Sequence, residues 1–257
     1  RNHLILLLQQ QRLPEQEVAI EELIIRYFFS QNFIQINLDL FYIKIMFILF
    51  LFSDILLNRL MKKLEYYFDC SSPWTYLSFR GLLALKEEYD LNIVWKPILV
   101  GGIFNSINPS VYESRKNPVK EKSDYSQKDL NDWAIVRNIN INWPKIFPVN
   151  SVKAMRGAFF AINKGSIEEY SEVIFKSYWT DGKDISSDDV LLQIIREFNW
   201  DEQDFFLYIN NPDTKEKLIN NTQELMDKGG FGSPTFFVDE TNMFFGNDRI
   251  QLIKEFL

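Results

Sequence analysis

The stretch Tyr67-Phe68-Asp69-Cys70-Ser71-Ser72-Pro73 decides the fold, because an apolar strand ends there and a helix begins. Ser72 and Pro73 are residue types preferred at the N-cap and in the first turn of a helix. The first N–H groups of a helix have no intrahelical partner, and with the helix dipole they favour an anion at that end. The sequence therefore predicts an anion-binding strand-to-helix corner that carries a serine hydroxyl.

Cys70 is the only cysteine in the chain, so a Cys-x-x-Cys motif and an internal disulfide are both impossible. A dithiol redox cycle is excluded, and a sulfur that reacts at this corner has to be supplied by a ligand. A chain that forms no disulfide is typical of a reducing compartment, and we expect a cytoplasmic location. Cys70 itself is expected to be a small buried side chain.

Size and composition are those of a globular protein. The 257 residues, 46% of them hydrophobic, can bury one core or one core with an insertion. The formal net charge of −7 argues against nucleic acid as a partner, since phosphate binding relies on clustered lysine and arginine. His3 is the only histidine, so histidine triads and histidine-ligated zinc are not expected, and no metal is predicted.

Residues 1–60 differ from the rest of the chain and contain an apolar run from Ile45 to Phe52. The run is shorter than the roughly 20 apolar residues that span a bilayer, and no small-residue cleavage site follows it. Because Met61 stands just before the first clean strand, we expect the working fold to begin there, with residues 1–60 outside it and no firm membrane association. A genuine leader or membrane anchor is the alternative.

From Met61 onward the pattern predicts the order β-α-β, a helical block, and α-β-β-α. The elements outside the block are the strands Leu64–Phe68, Asn92–Trp95, Thr235–Val238 and Met243–Phe245 and the helices Pro73–Tyr89, Thr214–Lys228 and Asp248–Leu257. The block contains predicted helices at Gln127–Arg137, Val152–Asn163, Ile167–Trp179, Ser187–Phe198 and Asp201–Ile209.

This order is that of an α/β, thioredoxin-like fold split by a helical insertion. Residues 61–100 and 212–257 would form the thioredoxin-like domain, and residues 101–211 the helical insertion domain. Ser233-Pro234-Thr235 precedes a predicted strand, where thioredoxin-like folds hold a cis-proline opposite the helix corner. That bond leaves the N–H and C=O of Ser233 available to an extended peptide. A trans proline at the start of an edge strand is the alternative.

The part of the chain from Met61 to Leu257 resembles the kappa-class glutathione transferases and the 2-hydroxychromene-2-carboxylate isomerases, which have a DsbA-like split thioredoxin fold. The matching blocks are Tyr67-Phe68-Asp69 with Ser72-Pro73, Trp95-Lys96-Pro97 with Gly101-Gly102-Ile103-Phe104, Lys122 with Tyr125 and Asp129-Leu130, Phe147-Pro148-Val149-Asn150 with Ala154-Met155-Arg156, Phe231-Gly232-Ser233-Pro234-Thr235, and Phe245-Gly246-Asn247-Asp248-Arg249. The block that begins at Phe147 is more similar to the isomerases, so the isomerase branch is favoured.

The resemblance implies a glutathione site in which Ser72 is the catalytic hydroxyl that hydrogen-bonds the glutathione sulfur and favours its thiolate. A thiol with a pKa near 8.5 is only slightly ionised at neutral pH. A hydroxyl donor and a helix N-terminus therefore raise the reactive fraction. The plainer interpretation of Ser72 is an N-cap residue, and the two roles are compatible.

The resemblance also implies which residues hold glutathione. Ser233, with Pro234 after it, offers backbone hydrogen bonds to the cysteinyl part, and Asn247 and Asp248 hold the γ-glutamyl end. Lys122 aligns with a family lysine near the glycyl carboxylate, a group that suits a cation. Apart from the family, Asp248 is equally a helix-capping carboxylate and Lys122 a solvated loop cation.

Five further residues are weaker candidates. Asn108 is the candidate for a family asparagine near the active serine. Asn150 and Arg156 would orient a loop or touch an acidic substrate, although Arg156 could equally be a structural ion-pair partner. Trp74 and Tyr125 would line an aromatic substrate pocket, or serve only in packing.

The implied function is that of a glutathione-dependent isomerase. The glutathione thiolate adds to an electron-poor conjugated carbon, a bond loses its double-bond character and rotates, and the thiolate leaves, so glutathione acts as a cofactor. A kappa-like glutathione transferase and a non-catalytic thioredoxin-fold binding protein are the alternatives. The expected partners are a small electrophilic or aromatic carboxylate substrate and, from the resemblance, a second copy in a homodimer.

Overall fold

The computed structural model describes residues 62–89 and 91–257. The predictions made for residues 1–60 and for a fold that begins at Met61 lie outside the described residues. None of the helices in the described ranges is long and apolar enough to cross a membrane.

Strands and helices follow the predicted order. The strands are β1 (Lys62–Phe68), β2 (Leu91–Pro97), β3 (Thr235–Val238) and β4 (Asn242–Phe245). The α-helices are α1 (Pro73–Glu88), α2 (Val100–Ser106), α3 (Ser110–Lys116), α4 (Lys120–Val136), α5 (Val152–Asn163), α6 (Ile167–Phe175), α7 (Asp188–Glu197), α8 (Glu202–Asn210), α9 (Pro212–Asp227) and α10 (Ile250–Ile253).

The strands form one mixed sheet in the order β2-β1-β3-β4. The pairing of β1 with β2 is parallel, and the pairings of β1 with β3 and of β3 with β4 are antiparallel. Tyr66 and Tyr67, which are successive residues of β1, are both fully buried. A central strand covered on both faces is consistent with helices packed on each side of the sheet. The predicted α/β, thioredoxin-like fold with helices inserted between β2 and β3 is confirmed.

Helix α1 connects the sheet to the inserted helices. Ser72 is its N-cap and Pro73 its first residue, as predicted. Phe79 lies 6.1 Å from Trp95 of β2 and 5.4 Å from Phe175 of α6, measured between ring centroids. These ring contacts hold α1 against both the sheet and the inserted helices.

The inserted helices have an aromatic core of their own. Phe160 of α5 packs edge-on against Phe205 of α8 with 5.4 Å between ring centroids, and the Tyr170 hydroxyl of α6 donates to the Ala154 carbonyl at 2.9 Å. A Cβ at Gly157 would lie 2.1 Å from the Tyr170 hydroxyl oxygen. Only glycine allows α5 and α6 to approach this closely.

Most predicted ends differ from the structure by one to three residues, and two helices differ more. The helix predicted at Gln127–Arg137 is α4, which begins already at Lys120. Its polar first half is supported by the ion pairs Lys120–Asp124 and Lys128–Asp132, both spaced i,i+4, which an apolar pattern does not reveal. The single helix predicted at Asp248–Leu257 is wrong, because α10 is flanked there by two 3₁₀ turns.

Two short helices, α2 and α3, were not predicted. Helix α3 contains no buried residue, so its sequence carries no apolar periodicity by which to recognise it. The helix predicted at Ile167–Trp179 ends as an α-helix at Phe175 and continues as a π-helical turn, Lys176–Thr180. The domain boundaries at residues 100 and 212 stay a prediction.

Candidate active site

Asp69 organises the corner between β1 and α1. Its side chain is buried, and its two carboxylate oxygens accept the N–H groups of Ser71 and Val100, each at 2.9 Å. Burial raises the pKa of the Asp69 carboxyl, while these hydrogen bonds and one from Ser151 act to lower it. The carboxylate thus ties the end of β1 to the residue before the N-cap of α1 and to the first residue of α2.

Ser72 lies at the N-terminus of α1 opposite the loop that precedes β3. Its Oγ accepts the Thr75 N–H at 3.3 Å and donates to the Ser233 carbonyl oxygen at 3.4 Å. A donor–acceptor distance of 3.4 Å is at the long limit for a hydroxyl, so this proton is weakly held. The Ser72 hydroxyl can therefore turn to a better acceptor at small cost.

The loop before β3 is tied to the same corner. The Ser233–Pro234 bond is cis, as predicted. The Ser233 Oγ accepts the Asp69 N–H at 3.0 Å and pairs with the Thr75 hydroxyl at 2.8 Å. We call Asp69, Ser71, Ser72 and Ser233 the serine wall, because each takes part in this hydrogen-bonded corner, Ser71 through its backbone N–H and the other three through their side chains.

Cys70 does not take part in the chemistry of the corner. It is 2% exposed, and burial raises the pKa of its thiol well above the ordinary value. The prediction of a small buried side chain is confirmed, and a buried thiol of raised pKa is a poor nucleophile.

The serine wall borders an open cavity of about 1210 Å³. A second group of lining residues, which we call the arginine wall, consists of Phe104, Arg115, Trp143 and Phe147. Trp143 and Phe147 pack edge-on with 5.1 Å between ring centroids, yet they are 50% and 37% exposed. The lining thus contains a polar, hydrogen-bonded part and an aromatic part that carries a cation.

The cavity brings together six of the predicted site residues: Ser72, Trp74, Asn108, Lys122, Asn150 and Ser233. The half-buried Asn108 donates its amide to the Phe231 carbonyl at 3.1 Å, and the Asn150 side chain accepts the Val152 N–H at 3.1 Å at the start of α5. Each amide therefore has an evident structural contact, so any contact of theirs with a ligand stays a prediction.

Tyr125 and Arg156 are not among the residues that line the cavity. The Tyr125 side chain is 66% exposed on α4. The Arg156 Nη1 donates to the Ile209 carbonyl at 3.0 Å and so holds α5 to α8. This contact is structural, but it is a hydrogen bond to a carbonyl and not the ion pair that the sequence left open for Arg156. A substrate role for either residue stays a prediction.

Pro234, Asn247 and Asp248 are likewise not among the residues that line the cavity. Asn247 is 3% exposed, and within the described residues its Oδ1 has no hydrogen-bond partner. Asp248 is exposed and lies 3.4 Å from Arg249. A buried carbonyl oxygen without a donor is costly, but this atom is buried and Asn247 does not line the cavity, so a contact of Asn247 with a ligand stays a prediction.

These features fit glutathione. The N-terminus of α1, whose first turn contains no acidic residue, favours a thiolate. Lys122, which lines the cavity, provides a cation for a carboxylate. Sequence reasoning missed the residues of the arginine wall, although Phe104 and Phe147 stood in the matching blocks and Arg115 adjoins a run of lysines.

Comparison with known proteins agrees with the fold. The family model described as DSBA-like thioredoxin domain matches residues 63–257. A 2-hydroxychromene-2-carboxylate isomerase from Pseudomonas putida is 26% identical over 195 residues, which cover 74% of this chain and 91% of that protein. Human glutathione S-transferase kappa 1 is 26% identical over 217 residues, covering 78% of this chain and 93% of that protein.

Among solved structures, a 2-hydroxychromene-2-carboxylate isomerase superposes with a TM-score of 0.64 at 24% identity, covering 75% of this chain and 93% of that chain. At this identity the superposition establishes the fold alone. The resemblance inferred from the sequence is confirmed, and the chain belongs to the DSBA-like thioredoxin domain family.

Proposed function

We propose that this protein is a glutathione-dependent isomerase that acts on a conjugated, aromatic-derived substrate. The observation that carries the proposal is the Ser72 hydroxyl, which lies at the N-terminus of α1 with its proton weakly held by the Ser233 carbonyl at 3.4 Å. In a family of thiol chemistry, this chain has a serine at the corner and no second cysteine. A thiolate that works here comes from the ligand.

Each group at the corner has one task in this proposal. The Ser72 Oγ turns its proton from the Ser233 carbonyl to the sulfur, and the Thr75 N–H that donates to Oγ makes the hydroxyl a stronger donor. The first N–H groups of α1 add a favourable field for negative charge. Asp69 keeps the corner in place through its two backbone contacts.

Glutathione, when bound, supplies a thiolate that adds reversibly to an electron-poor carbon of the substrate. Lys122 would pair with its glycyl carboxylate, the backbone of Ser233 would pair with its cysteinyl part, and Asn247 and Asp248 would hold its γ-glutamyl end. The cavity of about 1210 Å³ is larger than the roughly 300–1,000 Å³ typical of small-ligand sites. It has room for a tripeptide and a second small molecule.

The test is turnover of 2-hydroxychromene-2-carboxylate by the full chain, followed by ultraviolet absorbance, with and without glutathione. We expect isomerisation that requires glutathione and leaves its concentration unchanged. Turnover that is independent of glutathione would contradict the proposed mechanism. Binding of glutathione without turnover of this substrate would leave a glutathione transferase or a non-catalytic binding protein.

A kappa-like glutathione transferase is the second candidate, because human glutathione S-transferase kappa 1 is as similar to this chain, at 26% identity, as the Pseudomonas isomerase. The same corner would activate the thiol, but the adduct would be released as product. Consumption of glutathione with 1-chloro-2,4-dinitrobenzene, and none with the chromene carboxylate, would favour this candidate. The proposed homodimer is tested by light scattering on the native protein.

A further inference from the structure

The guanidinium of Arg115 lies between two aromatic rings of the cavity. Its Cζ is 5.3 Å from the ring centroid of Phe147 and 5.7 Å from that of Phe104. Contacts of this kind orient the planar guanidinium through its faces and leave the N–H groups at its edge free to donate. Arg115 is exposed at the C-terminal end of α3 and lines the cavity.

No carboxylate of the described residues lies within ion-pair distance of Arg115, in contrast with three other arginines. Arg80 pairs with Glu172 at 3.1 Å, Arg196 with Glu202 at 2.7 Å, and Arg249 with Asp248 at 3.4 Å. The chain has 35 acidic and 28 basic residues, so acidic partners are plentiful. An arginine that is held by aromatic rings and faces a cavity without such a partner is poised for an anion from solution.

The charges of the cavity favour the same kind of ligand. Its charged lining residues are Arg115, Lys122 and Asp69. Asp69 is buried, and both of its oxygens already accept backbone N–H groups. A protein of net charge −7 thus presents two available cations to its cavity. One cation is assigned above to glutathione, and Arg115 is left for the second ligand.

We propose that Arg115 binds the carboxylate of an aromatic acid substrate, while Trp143 and Phe147 contact its ring system. This inference rests on the proposed function for the identity of the reaction, but not for the binding itself. A carboxylate matches the two parallel donors of a guanidinium edge. A flat aromatic ring suits a wall whose side chains are aromatic and partly exposed. Arg115 then takes the role of contacting an acidic substrate that the sequence predicted for Arg156.

The inference is tested by calorimetric titration of the full chain with 2-naphthoate and with the neutral 2-naphthamide, in the absence of glutathione. We expect the wild type to bind the acid more tightly than the amide. Arg115→Gln should lower the affinity for 2-naphthoate about 10-fold or more and leave the affinity for 2-naphthamide unchanged. Lys116→Gln is the matched control, because it removes the neighbouring charge of the same helix without altering the cavity lining.

Arg115→Lys keeps the charge but not the paired donors, so its affinity for 2-naphthoate should be several-fold lower than that of the wild type. This variant replaces Arg115→Gln in the test if the glutamine variant does not fold. Equal affinities of the wild type for 2-naphthoate and 2-naphthamide would overturn the inference. An equal decrease of the two affinities in Arg115→Gln would overturn it as well. Titration with glutathione separates the two proposals. Failure of glutathione to bind, with Arg115-dependent naphthoate binding intact, would overturn the proposed function alone.

Discussion

The two walls of the cavity are held together by different forces. The side chains of the serine wall are tied to backbone groups, with Asp69 bound by Val100 at 2.9 Å and Ser233 bound by Asp69 at 3.0 Å. The arginine wall is held mainly by ring contacts, such as the 5.1 Å separation of Trp143 and Phe147. Hydrogen-bonded groups keep one geometry, whereas exposed rings can repack around different ligands. We infer that the chemistry is fixed on the serine wall and that ligand choice resides on the arginine wall.

The largest expected difference between the walls is in stability. Trp179 is fully buried, packs against Trp143 and Phe147, and donates its indole N–H at 2.9 Å to the carbonyl of Cys70, which lies beside the serine wall. Trp179→Ala should lower the free energy of unfolding by about 3–5 kcal/mol. Trp143→Ala, only 5.7 Å away between ring centroids but half exposed, should cost about 1 kcal/mol or less. Denaturant unfolding of both variants measures the two free energies of unfolding. Similar decreases in the two variants would contradict the expected difference between the walls.

The second effect is on catalysis. Ser72→Ala removes a hydroxyl donor to a charged sulfur, worth about 1.5–3 kcal/mol, and should lower the glutathione-dependent kcat/KM about 10- to 100-fold. It also removes an N-cap, at a cost of about 1 kcal/mol in stability. Asp201→Ala, which removes the N-cap of α8, is the matched control and should show the stability loss with unchanged kinetics. An equal decrease of kcat/KM in the two variants would show that Ser72 acts only as an N-cap.

A smaller effect is expected on the affinity for glutathione. Lys122 is exposed and lines the cavity, so the loss of its charge in Lys122→Gln should raise the Kd of glutathione about 2- to 5-fold. Lys120→Gln is the control, because Lys120 pairs with Asp124 at 2.6 Å and lies outside the lining. Calorimetry at low and high salt measures both. An unchanged Kd in Lys122→Gln would remove this residue from the glutathione site.

The smallest effect concerns pH. Burial raises the pKa of Asp69 above its ordinary value of 3.8, so the folded protein binds a proton more readily than the unfolded chain does. The contribution of Asp69 to stability is then greatest at low pH and declines as the pH rises through the folded pKa. Asp69→Asn should remove that decline. Thermal unfolding between acidic and neutral pH tests it, and an identical pH profile in the variant would contradict the assignment.

The serine wall was readable from the sequence because its signals are local. Ser72 and Pro73 cap a helix by their own chemistry, and Pro234 stands directly before a strand. Local apolar periodicity likewise fixed both ends of α5, Val152–Asn163. The arginine wall depends on contacts between distant segments, since Phe104, Arg115 and Phe147 belong to α2, α3 and the loop before α5. The spacing of residues within a single segment does not predict a cluster that three segments form together.

Helix α3 shows why the remaining elements were missed. It has no buried side chain, so no amphipathic pattern marks it in the sequence. Arg156, by contrast, was singled out because it belongs to a matching block, and its Nη1 turned out to hold the Ile209 carbonyl at 3.0 Å. Sequence similarity selects Arg156 as a residue of interest, but only the packing of α5 on α8 shows which atom its side chain contacts.

The central claim is that the Ser72 corner stabilises a thiolate supplied by glutathione. The most direct measurement is an ultraviolet titration of the thiol of glutathione bound to the full chain, in the wild type and in Ser72→Ala. We predict that the pKa of the bound thiol lies below that of free glutathione in the wild type and rises toward the free value in Ser72→Ala. An unshifted pKa in the wild type, or the same lowered pKa in both proteins, would contradict the account.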